Sequence, residues 1–154
     1  MAKGKPTHAE AQLHLQLYDL RREAKLRAAR EWFAEKFSPQ NLDDANRLAP
    51  PGSQESAYMR MVVTYWEMVC QLFNQGLLNE ELFFHTSGEF YLVWDRVQPI
   101  VAGLRERYRN PLFFAHLEKT AKRYQKWIER RAPGSLEAAR QLQQQARAAA
   151  AQTR

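Results

Sequence analysis

Apolar residues recur along the chain at steps of three and four, the spacing that places side chains on one face of an α-helix. The first stripe is Leu13, Leu17, Leu20 and Ala24. It follows Thr7 and Glu10, whose separation is that of a capping box at a helix start. No Gly or Pro then intervenes before Pro39, so the pattern predicts one helix over 8–37, about 45 Å long at 1.5 Å per residue. Arg27 and Glu31 carry charge into the stripe, and the apolar face moves round to Ala29, Phe33 and Phe37. The first half reads as a coiled-coil or docking arm, which either folds back on its own bundle or pairs with a second copy, with its length favouring projection; the second half reads as its entry into a core.

Ser38-Pro39 predicts an N-cap and first helical position for a short helix reaching about Leu48. Ala49-Pro50-Pro51-Gly52 is a break. Ser53 then caps a helix over about 54–75. Tyr58, Met61, Val62, Tyr65, Val69, Leu72 and Phe73 line one side, with Met59, Val63, Trp66 and Cys70 beside them. The polar remainder is the narrow stripe Arg60, Thr64, Glu67 and Gln71, which predicts the central and most buried helix, ended by Gly76.

Asn79, Glu80 and Glu81 mark the next helix start. Phe83, Ser87, Phe90, Trp94, Val97, Val101, Leu104 and Tyr108 carry one stripe across Pro99, which predicts a kink or break near Asp95 to Gln98. Asn110-Pro111 opens a helix over about 111–131, with Phe114, Leu117, Ala121, Tyr124 and Ile128 inward. Ala132-Pro133-Gly134 stops it. Ser135 caps a final Ala/Gln/Arg-rich helix whose sizeable apolar anchors are Leu136 and Leu142 alone. No strand alternation survives beside these periods. The expectation is an all-α chain: a single compact helical bundle of about five helices, with a long N-terminal helix and a weakly anchored C-terminal one. Residues 1–6 read as a disordered N-terminus, 7–132 as the bundle, and 133–154 as a partly helical tail.

Composition narrows the class. Hydrophobic residues make up 45% of 154, enough to build one core. The lone Cys70 excludes an intramolecular disulfide. No apolar run is long enough for a membrane helix, and Met1 to Pro6 leads into no signal-peptide core. A soluble, cytoplasmic protein is expected. The net charge of +6 is uneven: +4 over residues 1–30, −6 over 31–100 and +8 over 101–154. Solvated helix faces, some paired between segments, account for most of this. The sharper reading is an anion-binding surface of Arg105, Arg107, Arg109, Lys119, Lys122, Arg123, Lys126 and Arg130, with Arg131 close by. Lys119, Lys122, Lys126 and Arg130 share one helix face. Clustered cations suit phosphate contacts but carry no base code.

Chemistry-bearing motifs are scarce. His8, His14, His85 and His116 lack partners at metal-ligand spacing; Glu81 and His85 share a helix face without forming a Glu-x-x-His pair. Cys70 lies between Trp66 and Phe73 and reads as a small buried hydrophobe. No phosphate-binding Gly-rich loop or nucleophile elbow is present. Glu67, Glu89 and Asp95 read as acids buried beside Arg60 or Arg96. No catalytic residue, metal or cofactor is assigned.

Tyr65-Trp66-Glu67-Met68, Gly76-Leu77-Leu78-Asn79-Glu80-Glu81-Leu82, Tyr91-Leu92-Val93-Trp94 and Gln98-Pro99-Ile100 occur in that order. With Arg105 to Phe113 they resemble an uncharacterised bacterial all-helical domain family over about residues 55–130. That family shows a Gly-Leu-Leu-Asp-Glu-Glu-like turn and an aromatic-Trp motif before a proline. The resemblance implies a helical fold and no activity. Many members have a membrane helix before a basic segment, whereas residues 7–37 here are amphipathic and charged. The reading is a module acting through protein contacts, with self-association through Leu13, Leu17, Leu20 and Ala24 as an antiparallel homodimer. Like charges at Arg21, Arg22, Lys25 and Arg27 oppose a parallel one. The alternative is binding of nucleic acid or an anionic membrane surface by the 105–131 face.

Overall fold

The structure is a computed structural model and describes residues 4–152. Among them it has eight α-helices and no strand: α1 (His8–Arg21), α2 (Ala24–Lys36), α3 (Leu42–Leu48), α4 (Gln54–Asn74), α5 (Glu80–Thr86), α6 (Glu89–Arg107), α7 (Ala115–Arg131) and α8 (Ser135–Gln152). The chain is all-α as its periodicity predicts. The number exceeds about five because the helix expected over 8–37 is two, and the one expected from Asn79 breaks at Ser87 and Gly88.

The first split falls at Arg22 and Glu23. The Glu23 carboxylate accepts from the Lys25 and Leu26 amides at 3.0 and 2.9 Å and starts α2. Those amides hold its carboxyl below the usual pKa. In one straight helix of 3.6 residues per turn, Leu26, Ala29 and Phe33 would face about half a turn away from Leu17. The break lets all four be buried. The arm therefore folds back instead of projecting. Tyr65 of α4 donates its hydroxyl hydrogen to the Leu17 carbonyl, and His14 Nε2 lies 2.9 Å from the Thr86 hydroxyl of α5.

Of the N-terminus expected to be disordered, Met1 to Lys3 lie outside the described residues. Gly4 is held: its carbonyl accepts from Asn79 Nδ2 at 2.9 Å, while Asn79 Oδ1 accepts from the Leu82 amide and caps α5. The helix expected to open at Ser38-Pro39 starts instead at Leu42, capped by Asn41. The extended stretch before it buries Phe37 and Pro39.

The second split is at Ser87 and Gly88, not at Pro99, through which α6 runs unbroken. In a continuous helix Phe83 and Phe90 would stand about 10.5 Å apart along the axis. The break stacks their rings at 5.3 Å and brings Phe84 to 6.0 Å from Phe90. Phe73 of α4 and Tyr124 of α7 join this cluster at 5.1 and 5.3 Å. The stacking replaces the predicted Asp95–Gln98 break as the reason the chain turns.

α4 begins at Ser53 and is followed by Gly76 at φ 79°, as its pattern predicts. It packs against α2, α6 and α7. It is not the most buried helix. α6 buries eight residues against six, because Tyr58, Met61, Tyr65 and Leu72 of α4 are only partly covered.

α7 starts at Ala115, later than Pro111, because Phe114 sits at φ 54° and carries no capping group. Glu67 of α4 supplies the missing acceptor, taking the His116 and Leu117 amides at 3.0 and 2.7 Å. The opposite problem at the end of α2 is met by Arg96 of α6, whose Nη1 donates to the carbonyls of Phe33, Ala34 and Phe37. Glu67 and Arg96 thus serve helix ends instead of the ion pairs expected of them. Asp95 pairs with Arg140 of α8, not with Arg96. α8 runs to Gln152 with no fully buried residue; Ser135 lies inside its first turn, and Leu142 is exposed. Besides Leu136, its anchor is Arg140, which reaches Asp95 and the Tyr91 hydroxyl.

Glu89, in the first turn of α6, receives Arg30 of α2 at 2.6 and 2.5 Å, Trp66 Nε1 of α4 at 3.2 Å, and lies 3.7 Å from Arg21 of α1. Glu89→Gln removes the charge while nearly keeping the shape. It should lower unfolding stability in urea by about 1.5–3 kcal/mol, the range for hydrogen bonds to charged groups. Glu106→Gln, on an exposed position of the same helix, should stay within about 0.5 kcal/mol.

Candidate functional site

The two surfaces singled out from sequence are dissected differently by the fold. Along the α1 stripe, Leu17 is buried and Leu13 is partly buried against the core, while Leu20 and Ala24 are exposed. Ala24 opens α2 and so no longer belongs to the same helix. The stripe is spent on the chain's own bundle at its centre. The opposite side of α1 carries Leu15 and Tyr18, one turn apart and 65% and 50% exposed. The sequence contained that signal at Ala11, Leu15 and Tyr18, spaced four and three, but the neighbouring leucine stripe is longer and masked it.

The basic face is reduced by internal pairing. Arg105 donates to the Phe113 carbonyl at 3.0 Å and to Glu118 at 2.7 Å, fixing the α6–α7 turn. Lys122 takes the other Glu118 oxygen at 2.5 Å. Lys122 first, then Arg105, hold the Glu118 carboxyl below its usual range. Arg123 pairs with Glu80 and stands 5.0 Å over the Phe73 ring; Arg131 pairs with Glu81 at 2.7 Å. Arg107, Arg109, Lys119, Lys126 and Arg130 are exposed and make no ion pair among the described residues. Lys119, Lys126 and Arg130 remain on one α7 face. Four acids of the acidic middle, Glu80, Glu81, Glu89 and Asp95, thus meet arginines from its basic ends.

Cys70 is fully buried, and burial pushes its thiol pKa far up, with Thr120 as its hydrogen-bond partner. Thr120 is also fully buried and accepts from Asn74 Nδ2 at 3.0 Å. His85 lies 3.4 Å from Glu81, one helical turn away. Among the described residues, no group of three or more His, Cys, Asp or Glu could hold a metal ion, and no helix is long and apolar enough to cross a membrane. Arg96, expected from sequence to pair with a buried acid, and Arg147, which carried no expectation, line a cleft of about 550 Å³ between α2 and α8. Their separation of 51 positions gave no local pattern to find.

The sequence model of a family described as a domain of unknown function, DUF4760, matches residues 6–127. The chain belongs to the DUF4760 family. The match begins before α1 and ends inside α7, so it reaches well upstream of the 55–130 stretch that carries the resemblance. α8 lies beyond the DUF4760 match. No curated protein and no solved structure matches the chain.

Cys70 of this DUF4760 chain should react with a thiol reagent only on the timescale of unfolding, because a desolvated thiol without a base is neither exposed nor ionised. Native labelling as fast as in denaturant would show that the α4–α7 contact opens readily.

Proposed function

We propose that this chain is a non-catalytic interaction module that associates with a second copy of itself through the outer face of α1. One observation carries the reading: Leu15 and Tyr18 stand exposed on consecutive turns of a helix whose inner face is already docked. Burying two such side chains against their equivalents removes apolar surface from water at about 25 cal/mol per Å². Charge selects the orientation. Arg21, Arg22 and Lys25 gather at the C-terminal end of α1 and the start of α2, so a parallel pair would align like charges, and an antiparallel two-fold pair separates them. A cytoplasmic location in a bacterial cell goes with this reading. Light scattering of the full chain should give a dimer mass at tens of micromolar, and Leu15→Glu/Tyr18→Glu should give a monomer with unchanged helicity. A monomeric wild-type mass, or a dimer that survives the double substitution, refutes it.

A second reading is supported by Lys119, Lys126 and Arg130, which form an unpaired cationic face on α7. That face would take a nucleic acid or an anionic membrane surface. With about three phosphates neutralised, the affinity for duplex DNA should fall with a log–log salt slope near −3. Affinity unaffected by salt, or by Lys126→Gln/Arg130→Gln, removes this reading.

A further inference from the structure

The cleft between α2 and α8 holds two guanidinium groups and no carboxylate paired to either. Arg96 is 94% buried by relative exposure, standing at 6%, and Arg147 is half-buried. Both contribute to the cleft wall, and the Nε–H of each is buried without a hydrogen-bond partner. Arg96 spends Nη1 on the carbonyls of Phe33, Ala34 and Phe37 at the end of α2, which fixes its position and leaves Nε unused. Burial, and then the charge of Arg147, lower the Arg96 pKa to about 10. A buried and a half-buried cation close together with no ion-pair partner are costly, and so are buried donors left unpaired. The nearby Asp95 offsets part of this charge, but its carboxylate oxygens are hydrogen-bonded to Arg140 and make no ion pair with Arg96 or Arg147. Glu35 lines the cleft but makes no ion pair with either arginine. The remaining wall is largely alanine: Ala34 from α2 and Ala146, Ala150 and Ala151 from α8.

We propose that this cleft binds a small amphipathic organic anion. Its carboxylate or phosphate head sits on Arg147 and Arg96, and its short apolar body lies along the alanines. A volume of about 550 Å³ is within the range of small-ligand sites, roughly 300–1,000 Å³. Guanidinium groups suit such a head because they present fixed, parallel donors. The anion would also remove the repulsion between a cation seated in the bundle and one carried by α8. Binding therefore tightens a helix that otherwise has one partly buried leucine and one arginine as anchors. The site needs α8, which lies outside the family match, so it is a feature of this chain beyond the shared domain.

Isothermal titration of the full chain with hexanoate and hexyl phosphate tests the site, with inorganic phosphate, acetate and neutral hexanol as comparisons. At least one of the two amphipathic anions should bind one-to-one, more tightly than inorganic phosphate or acetate, and hexanol should not bind. Arg147→Gln should weaken binding by about tenfold or more. Ala150→Glu places a carboxylate in the cleft and should abolish it. Both variants are read alongside circular dichroism, and amide exchange over 135–152 should slow when the anion is added to wild type. The proposal is overturned by the absence of saturable binding for both amphipathic anions. It is equally overturned by binding that survives both substitutions, or by inorganic phosphate binding as tightly as hexyl phosphate.

Discussion

The arrangement of the helices depends on one carboxylate. Glu89 lies where the positive end of the α6 dipole favours a negative charge, and it gathers donors from α1, α2 and α4 at that point. Arg30 binds it through two nitrogens, and hydrogen bonding to Glu89 raises the Arg30 pKa. Four helices with otherwise smooth apolar contacts thus share one directional centre. Hydrophobic packing alone would tolerate rotation of α2 about its axis. A bidentate pair does not.

Much of the fold was legible because it is local. The capping box at Thr7, the Ser53 cap, the Gly76 stop and the stripe of α4 each reside within a few residues, and all appear in the structure. What escaped depends on distant partners. Nothing near Phe114 announces that Glu67 will cap α7, 50 positions away from Leu117. Pro99 looked like a break because the local rule is strong. The rule lost to burial: Val97, Ile100 and Val101 around the proline are all in the core. Ser87-Gly88 was the weaker local signal, and it became the turn because ring stacking among Phe83, Phe84 and Phe90 required one there.

The candidate surfaces followed the same logic. Sequence spacing identified which side chains share a helix face, but not whether a neighbouring helix claims that face. Leu13 and Leu17 were claimed by the bundle's own core, and Arg105, Lys122 and Arg123 by acids around them. The three-part charge distribution looked like a surface property. It is in part an internal one, since Glu80, Glu81, Glu89 and Asp95 of the acidic middle all meet arginines from the two ends. Of the basic face, Arg107 and Arg109 near the end of α6 and Lys119, Lys126 and Arg130 on α7 remain without an ion pair among the described residues.

Asn79 uses the two atoms of its amide for separate purposes. The oxygen starts α5 and the nitrogen holds Gly4. Asn and Asp are nearly equivalent as helix caps in isolation, yet here they differ. Asn79→Asp keeps the acceptor and loses the donor, and sets a second oxygen against the Gly4 carbonyl in a site only 2% exposed. Position 79 therefore decides whether the leading segment of this chain is fastened, while leaving the helix it caps unchanged.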